Sequence, residues 1–128
     1  MSDIKNGTFY WNELLTHDVP AGVAFYQDIM GCEISEVPMQ HMTYWVAKLD
    51  DQPVAGIMKM PDEIPQGTPP HWMAYIAVDD IDAKIAKAKA AGAVVMSEPF
   101  DVPNVGRIDI LKDAGNAVIG WMTPVSNR

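Results

Sequence analysis

The stretch most informative about the fold runs from His71 to Gly92 and has the sequence HWMAYIAVDDIDAKIAKAKAAG. Its first part, up to Val78, is apolar and rich in aromatic side chains, which predicts a β-strand. Asp79 or Asp80 then supplies a helix N-cap, and the lysine- and alanine-rich run after it predicts a helix that stops at Gly92. The stretch therefore contains a strand followed directly by a helix.

The predicted helix, Ile81–Ala91, has one apolar side and one charged side. Ile81, Ile85 and Ala88 are spaced by three or four residues, which predicts that this face is buried. The lysines between them are expected on the solvated side. Three further strands are predicted after the helix: Ala93–Ser97, Arg107–Leu111 and Ala117–Thr123.

The first half of the chain repeats this order of elements. A strand is predicted at Gly7–Thr16, followed by an N-cap at Asp18 and a helix that runs to Met30. The predicted buried face of this helix consists of Ala21, Phe25 and Ile29. Three strands are predicted next: Cys32–Val37, Met42–Leu49 and Val54–Met60. Repetition at this scale is a strong indication of the fold.

The two halves are separated by Pro61–Pro70, which holds four prolines and a glycine and is therefore predicted to be a linker. The sequence predicts an α+β fold in one domain over residues 1–128, with module 1 at about 7–60, the linker at 61–70 and module 2 at about 71–124. Each module has the order βαβββ. The two modules are expected to form a curled mixed β-sheet around a cavity.

The composition limits the classes of partner. The formal net charge of −8 repels nucleic-acid phosphates and anionic lipid headgroups, so neither nucleic acid nor a membrane is an expected partner. The single cysteine, Cys32, forms no internal disulfide and belongs to no CxxC motif. The polar N-terminus and the lack of a membrane-length apolar run predict a cytoplasmic protein.

Four segments of the chain carry a family resemblance: Trp11–Thr16, Ala24–Gly31, Ala77–Ala93 and Gly106–Gly120. In order and spacing they resemble the glyoxalase / bleomycin-resistance / dioxygenase (vicinal oxygen chelate) superfamily over nearly the whole chain. The strings WNELLT and GRIDILKD are most similar to its metal-poor bacterial branch. The resemblance implies paired modules, a U-shaped sheet with the site inside, and a homodimer.

The resemblance also implies where metal ligands would lie, one on each of four strands and usually His, Glu or Gln. These positions fall on Trp11, Met73, Gly120 and a residue within Ala55–Met58. Indole, small and glycine side chains do not bind Zn²⁺, Ni²⁺ or Fe²⁺, and a thioether is a poor ligand for them. No cofactor is therefore predicted, and a divalent metal is disfavoured.

Glu13 is the candidate catalytic residue. Burial on an apolar strand face disfavours a charged carboxylate unless it is paired, and such a group can act as a general base or acid. One alternative is that Glu13 pairs with Arg107 or a backbone donor and only orders the site. Another is a displaced metal site, because strand periodicity places Glu13 beside Trp11 and His71 beside Met73.

Arg107 and Asp109 share one face of a predicted strand, opposite Ile108 and Ile110. The isoleucines are expected to pack on the helix, which would turn Arg107 towards the cavity. There it can bind a carboxylate or enolate of a ligand. The alternative is a structural pair with Glu13 or Asp109.

The predicted ligand-binding residues are mainly apolar, as is typical of small-molecule sites. They are Trp11, Glu13, Met73, Tyr75, Arg107, Asp109 and Met122. We therefore predict a protein that binds an aromatic or amphipathic metabolite or drug in an internal cavity without the usual metal ligands. The alternative is a glyoxalase/lyase- or dioxygenase-type enzyme that uses Glu13, with or without a displaced divalent metal. A third hypothesis is an assembly module that binds no ligand. The presence of Glu13 and Arg107 weighs against such a purely structural role.

Overall fold

The computed structural model describes residues 4–39, 42–62 and 64–125. Within them the chain forms two helices and nine strands. In chain order these are β1 (Phe9–Thr16), α1 (Val19–Met30), β2 (Glu33–Pro38), β3 (Thr43–Leu49), β4 (Gln52–Lys59), β5 (His71–Ala77), α2 (Ile81–Ala90), β6 (Val94–Val95), β7 (Phe100–Val102), β8 (Gly106–Lys112) and β9 (Val118–Pro124). Neither of the described helices is long and apolar enough to cross a membrane.

The described residues divide into two compact units. The N-terminal unit spans Trp11–Met73, and the C-terminal unit combines the described parts of Met1–Tyr10 and Ala74–Arg128. The strand order is β2-β3-β4-β1 in the N-terminal unit and β5-β9-β8-β6 in the C-terminal unit, where β7 also pairs with β8. The β1–β4 and β5–β9 pairs are parallel, and the remaining pairs within the units are antiparallel. The predicted α+β class and the repeated βαβββ order are confirmed, with β7 as an addition.

Both helices begin at the predicted N-caps. The carboxylate of Asp18 accepts a hydrogen bond from the backbone N–H of Ala21, and Asp80 does the same for Ala83. Each bond satisfies a backbone donor that has no partner inside its helix. At the other end of α1, Gly31 adopts a φ of 71°, a left-handed conformation that favours glycine.

The packing of α1 differs from the prediction. Among the twelve residues described for α1 none is buried, and the expected buried face is wrong because Ala21 is exposed and Phe25 and Ile29 are 54% and 63% exposed. A Cβ at Gly22 would lie only 3.2 Å from the Leu14 side chain, so the helix backbone approaches β1 closely at this glycine. The half-buried residues of α1 are Val19, Gly22, Val23 and Tyr26.

The C-terminal unit confirms one prediction and corrects another. Ile81, Ile85 and Ala88 of α2 are buried, as their spacing predicts. The strand predicted at Ala93–Ser97 is shorter than expected, because only β6 forms there. The unpredicted strand β7 follows Pro99, which has no N–H to continue a strand ladder.

Candidate functional site

Glu13 lies on β1 and is fully buried. Its Oε2 accepts a hydrogen bond of 2.6 Å from the hydroxyl of Tyr44 on β3. The same hydroxyl accepts a bond of 3.1 Å from the indole N–H of Trp11, which shares a strand face with Glu13. The three side chains therefore form a hydrogen-bonded series that ends at a carboxylate, and we call it the Glu13 triad.

The β3–β4 hairpin brings Tyr44 to Glu13. Its two-residue turn has positive φ at Asp50 (50°) and Asp51 (65°), as in a type I′ turn, which matches the twist of the flanking strands. Beyond the turn, Gly56 of β4 is the register partner of Glu13. A Cβ at Gly56 would overlap the Tyr44 hydroxyl, so the position needs a glycine.

The C-terminal unit contains a similar tyrosine–glycine contact. Tyr75 is the register partner of Gly120, as Glu13 is of Gly56. A Cβ at Gly120 would overlap the ring of Tyr75. Because the registers match, Gly56 is the counterpart of Gly120. Gly56 is therefore the residue within Ala55–Met58 that corresponds to the fourth expected metal-ligand position.

Tyr44 and Gly56 are not among the predicted site residues. The sequence does contain a signal for both, because a glycine in the interior of a strand marks a place where another group approaches the backbone closely. That signal does not identify the approaching group. Tyr44 lies on another strand, 31 residues from Glu13 in the chain.

The residues at the four expected ligand positions do not fit a divalent metal. Trp11 and Met73 present an indole and a thioether, and tyrosine side chains fill the space beside both glycines. His71, the displaced candidate, has its Nδ1 at 2.9 Å from the carbonyl oxygen of Pro69. Within residues 4–39, 42–62 and 64–125, no group of three or more His, Cys, Asp or Glu side chains is placed to hold a metal ion.

Arg107 lies elsewhere than predicted. Its guanidinium contacts Asp82 of α2 at 3.2 Å and Asp101 of β7 at 3.3 Å, and its side chain is 30% exposed. The hydrogen bond to Asp82 is the main cause that raises the pKa of Arg107. Arg107 therefore holds a helix start and a strand together, which is a structural role.

Asp109 is buried on the same strand. Its Oδ1 accepts hydrogen bonds from the hydroxyl of Ser97 and the backbone N–H of Ile110, whereas its Oδ2 has no hydrogen-bond partner among the described residues. Loss of hydration on burial raises the pKa of Asp109, and the two hydrogen bonds lower it by less. This carboxyl group is the least satisfied of the buried polar groups described.

The expected orientation of β8 is wrong. Leu111, not the isoleucines, packs against Ile81 and Ile85 of α2. Because alternate residues of a strand share a face, Arg107 and Asp109 lie on this helix side together with Leu111. The spacing of apolar residues could not reveal the orientation, since both faces of β8 are buried.

The remaining predicted ligand-binding residues are buried. Met73 is 3% exposed, and Tyr75 and Met122 are fully buried. The hydroxyl of Tyr10 donates a hydrogen bond to the sulfur of Met122, and burial raises the pKa of Tyr10. These side chains have the apolar character predicted for a ligand site, and in this structure they are closed to solvent.

An open groove of about 450 Å³ lies at the start of α2. Its polar groups bond within the protein: Asp80 caps the helix, and the Thr123 hydroxyl accepts from the backbone N–H of Ile81. These bonds favour a structural role for the groove. It is lined by Asp79, Asp80, Ile81, Asp82, Arg107 and Thr123.

Charge is distributed unevenly between the two units. Residues 11–73 contain nine acidic residues and two lysines, a formal charge of −7 out of the total of −8. The rest of the chain contains eight acidic and seven basic residues and is nearly neutral. The Glu13 triad therefore belongs to the acidic part of the protein.

Comparison with known proteins identifies the family. The sequence profile of the Glyoxalase/Bleomycin resistance protein/Dioxygenase superfamily matches residues 9–119. CFP32 of Mycobacterium tuberculosis, which carries the name glyoxylase, is 42% identical over 125 residues, covering 97% of this chain and 47% of that protein. The anthracycline biosynthesis protein DnrV of Streptomyces peucetius is 32% identical over 109 residues, covering 85% of this chain and 39% of that protein. The chain thus spans about half the length of the curated relatives it matches, or less.

Solved structures agree in fold. Methylmalonyl-CoA epimerase of Mycobacterium tuberculosis has a TM-score of 0.66 and 19% identity, covering 98% of this chain and 93% of the epimerase. An epimerase variant of Streptomyces coelicolor has a TM-score of 0.69 and 19% identity, covering 97% and 99%. At this identity the likeness concerns the fold alone. By sequence and by fold, the chain belongs to the Glyoxalase/Bleomycin resistance protein/Dioxygenase superfamily.

Proposed function

We propose that the protein binds a small aromatic or amphipathic molecule without a resident divalent metal, and that Glu13 is the polar contact for this ligand. The observation that carries the proposal is the Glu13 triad, a fully buried carboxylate held by two aromatic hydrogen-bond donors in series. The residues at the expected ligand positions, an indole, a thioether and two glycines, support binding without a metal.

The charge of the N-terminal unit favours a cationic ligand. Removing a carboxylate from water costs free energy, and the hydrogen bond from the neutral Tyr44 hydroxyl offsets part of that cost. A ligand with an ammonium group would neutralise the carboxylate, and the formal charge of −7 over residues 11–73 would raise its local concentration. We therefore propose that the ligand combines an aromatic surface with a positive charge.

Space for the ligand has to come from side chains that now fill it. Met58 and Met73 of the N-terminal unit are 2% and 3% exposed. Methionine is unbranched and flexible, so it repacks around a bound molecule at lower cost than a branched or aromatic side chain. We propose that these two methionines move when the ligand binds, while the aromatic members of the triad stay.

An enzyme is the second candidate function, and the short Tyr44–Glu13 hydrogen bond favours it. A carboxylate held at 2.6 Å by a tyrosine is placed to take or return a proton, as a glyoxalase/lyase-type reaction requires. The glyoxylase name of a relative with 42% identity points the same way. In the variant with a displaced metal, Glu13 and His71 would be the ligands.

A matched series of three dyes tests the binding proposal. Proflavine is a planar aromatic cation, acridine is its neutral analogue at slightly alkaline pH, and acridine carboxylate is the anionic one. We expect proflavine to bind best in a fluorescence titration, acridine more weakly and the carboxylate least. Glu13→Gln should remove the preference for the cation. Equal binding of all three dyes, or no binding of any, would contradict the proposal.

Metal content and turnover separate the two candidate functions. Mass spectrometry of the untagged protein, before and after incubation with Zn²⁺, Ni²⁺, Mn²⁺ and Fe²⁺, should find no stoichiometric metal if the binding proposal is right. A hemithioacetal of glutathione should then remain unchanged in the presence of the protein. Isomerisation that is lost in Glu13→Gln would establish the enzyme instead, and stoichiometric metal would point to Glu13 and His71.

A further inference from the structure

The Tyr44 hydroxyl lies at two of the expected metal-ligand positions at once. It accepts a hydrogen bond from Trp11, the first of these positions, and it fills the space above Gly56, the counterpart of the last. Trp11, Tyr44 and Glu13 are 4%, 0% and 0% exposed. A hydrogen-bonded series thus occupies the part of the N-terminal unit in which two metal ligands would be expected.

The direction of the hydrogen bonds in this series is determined by chemistry. The indole N–H of Trp11 is a donor only, so the Tyr44 oxygen accepts from it. The proton of Tyr44 is therefore directed to Oε2 of Glu13, which as a carboxylate is an acceptor only. The Tyr44 donor limits the rotation of the Glu13 carboxylate, and the Trp11 donor limits the rotation of the Tyr44 hydroxyl.

We propose that Tyr44 is a positioning residue, which acts on the ligand through Glu13, and that Trp11 supports it one bond further away. Tyr44 orients the Glu13 carboxylate through the hydrogen bond of 2.6 Å to Oε2. The inference rests on the proposed function, because it requires that Glu13 contacts the ligand. Tyr44 and Trp11 would thus hold the Glu13 carboxylate in the orientation in which it contacts the ligand.

The chain contains a matched control pair. On the exposed side of the same unit, the indole N–H of Trp72 donates to the Tyr26 hydroxyl at 3.0 Å, and the two rings pack edge to face. This pair has the same chemistry and nearly the same length as the Trp11–Tyr44 bond, but it does not lead to a buried carboxylate in the contacts described. Tyr26→Phe therefore measures the effect of losing a tyrosine hydroxyl as such.

Proflavine titrations of single variants test the proposal. Tyr44→Phe removes the hydroxyl and keeps the ring beside Gly56, and we expect proflavine affinity to fall about tenfold because a hydrogen bond to a charged group is lost. Trp11→Phe should lower the affinity by less, about threefold, since a neutral bond is lost. Tyr26→Phe should leave it unchanged.

A double-mutant cycle separates positioning from a direct contact. If Tyr44 acts through Glu13, Tyr44→Phe has no further effect on proflavine binding in the Glu13→Gln background. Equal losses in both backgrounds would overturn the positioning role and leave the binding function intact. Unchanged affinity in Glu13→Gln alone would overturn both, so the two failures are distinguishable.

A measurement without ligand covers the case in which proflavine does not bind. The infrared carboxyl band of Glu13 is defined as the band that Glu13→Gln removes. In Tyr44→Phe this band should lie at a different frequency from that in the unchanged protein, because the hydrogen bond to Oε2 is lost, and in Tyr26→Phe it should not shift. An identical band frequency in Tyr44→Phe and the unchanged protein would overturn the proposal. Thermal unfolding of each variant confirms that the compared proteins are folded.

Discussion

The two units have similar strand orders but differ in net charge, in the contacts of their buried carboxyl groups and in the packing of their helices. The N-terminal unit carries nearly all of the net charge and a buried carboxylate, Glu13, that Tyr44 holds by a hydrogen bond. The C-terminal unit is nearly neutral, and its buried carboxyl group, Asp109, has one oxygen without a hydrogen-bond partner in the part of the chain that the structure describes. Helix α2 buries three side chains, whereas α1 buries none among its described residues. We infer that α2 contributes more to packing stability than α1, and that the two units hold their buried carboxyl groups differently.

The largest effect on the free energy of unfolding is expected when a side chain is added at the two strand glycines, Gly56 and Gly120. Gly56→Ala and Gly120→Ala each place a Cβ inside a tyrosine side chain, and overpacking of this kind costs about 3 kcal/mol. Urea unfolding should show similar losses for both, while only Gly56→Ala should also weaken proflavine binding. Gly22→Ala, whose Cβ would meet only a leucine methyl group at 3.2 Å, is the tolerated control. Equal binding losses in both strand variants would show that the units are functionally alike.

The next largest effect on stability is expected when one isoleucine side chain is truncated in α2, whereas the same truncation in α1 should have little effect. Ile85→Ala in α2 removes a side chain that is 7% exposed, and we expect a loss of about 2–4 kcal/mol in the free energy of unfolding. Ile29→Ala in α1 removes one that is 63% exposed and should change it by less than about 0.5 kcal/mol. Chemical denaturation at one temperature measures both. A large loss for Ile29→Ala would mean that α1 is covered by something in solution.

Asp109 should make stability depend on pH in a recognisable direction. Its pKa is raised in the folded protein, so the folded state holds the proton more tightly and stability falls as the pH rises from the ordinary aspartate range to the raised pKa. Asp109→Asn should remove this fall and should be more stable than the unchanged protein at neutral pH. Unfolding curves across acidic to neutral pH measure the difference. Parallel pH dependences for the two proteins would argue that Asp109 is ionised at no cost.

The smallest effect is expected for Arg107. Its ion pairs lie at the surface, with the partner carboxylates of Asp82 and Asp101 62% and 52% exposed, and such pairs contribute about 0–1 kcal/mol. Arg107→Gln should therefore lower stability slightly, and less at high salt. Proflavine affinity should not change, because Arg107 lies on the α2 side of β8. A marked change in affinity would restore the sequence-based prediction that Arg107 contacts the ligand.

Local patterns in the sequence predicted much of the fold and part of the site. The caps Asp18 and Asp80 act within three residues of their own position, so a short window of sequence contains the whole interaction. The buried face of α2 follows from a helical repeat within ten residues. Burial of Glu13 follows from its place on an apolar strand face. Where both faces are buried, as on β8, the pattern is uninformative and the predicted orientation of Arg107 was wrong.

The amino-acid sequence was sufficient for the order of the elements, the family resemblance and the residue types at the expected ligand positions, because each depends on neighbours along the chain or on identity alone. Contacts between distant segments required the three-dimensional structure. Tyr44 reaches Glu13 across 31 residues, because hairpin register and the missing side chain of Gly56 leave room for its ring. The approach of α1 at Gly22 and the pairing of Arg107 with Asp82 likewise arise from packing between elements, which no periodicity within one element encodes.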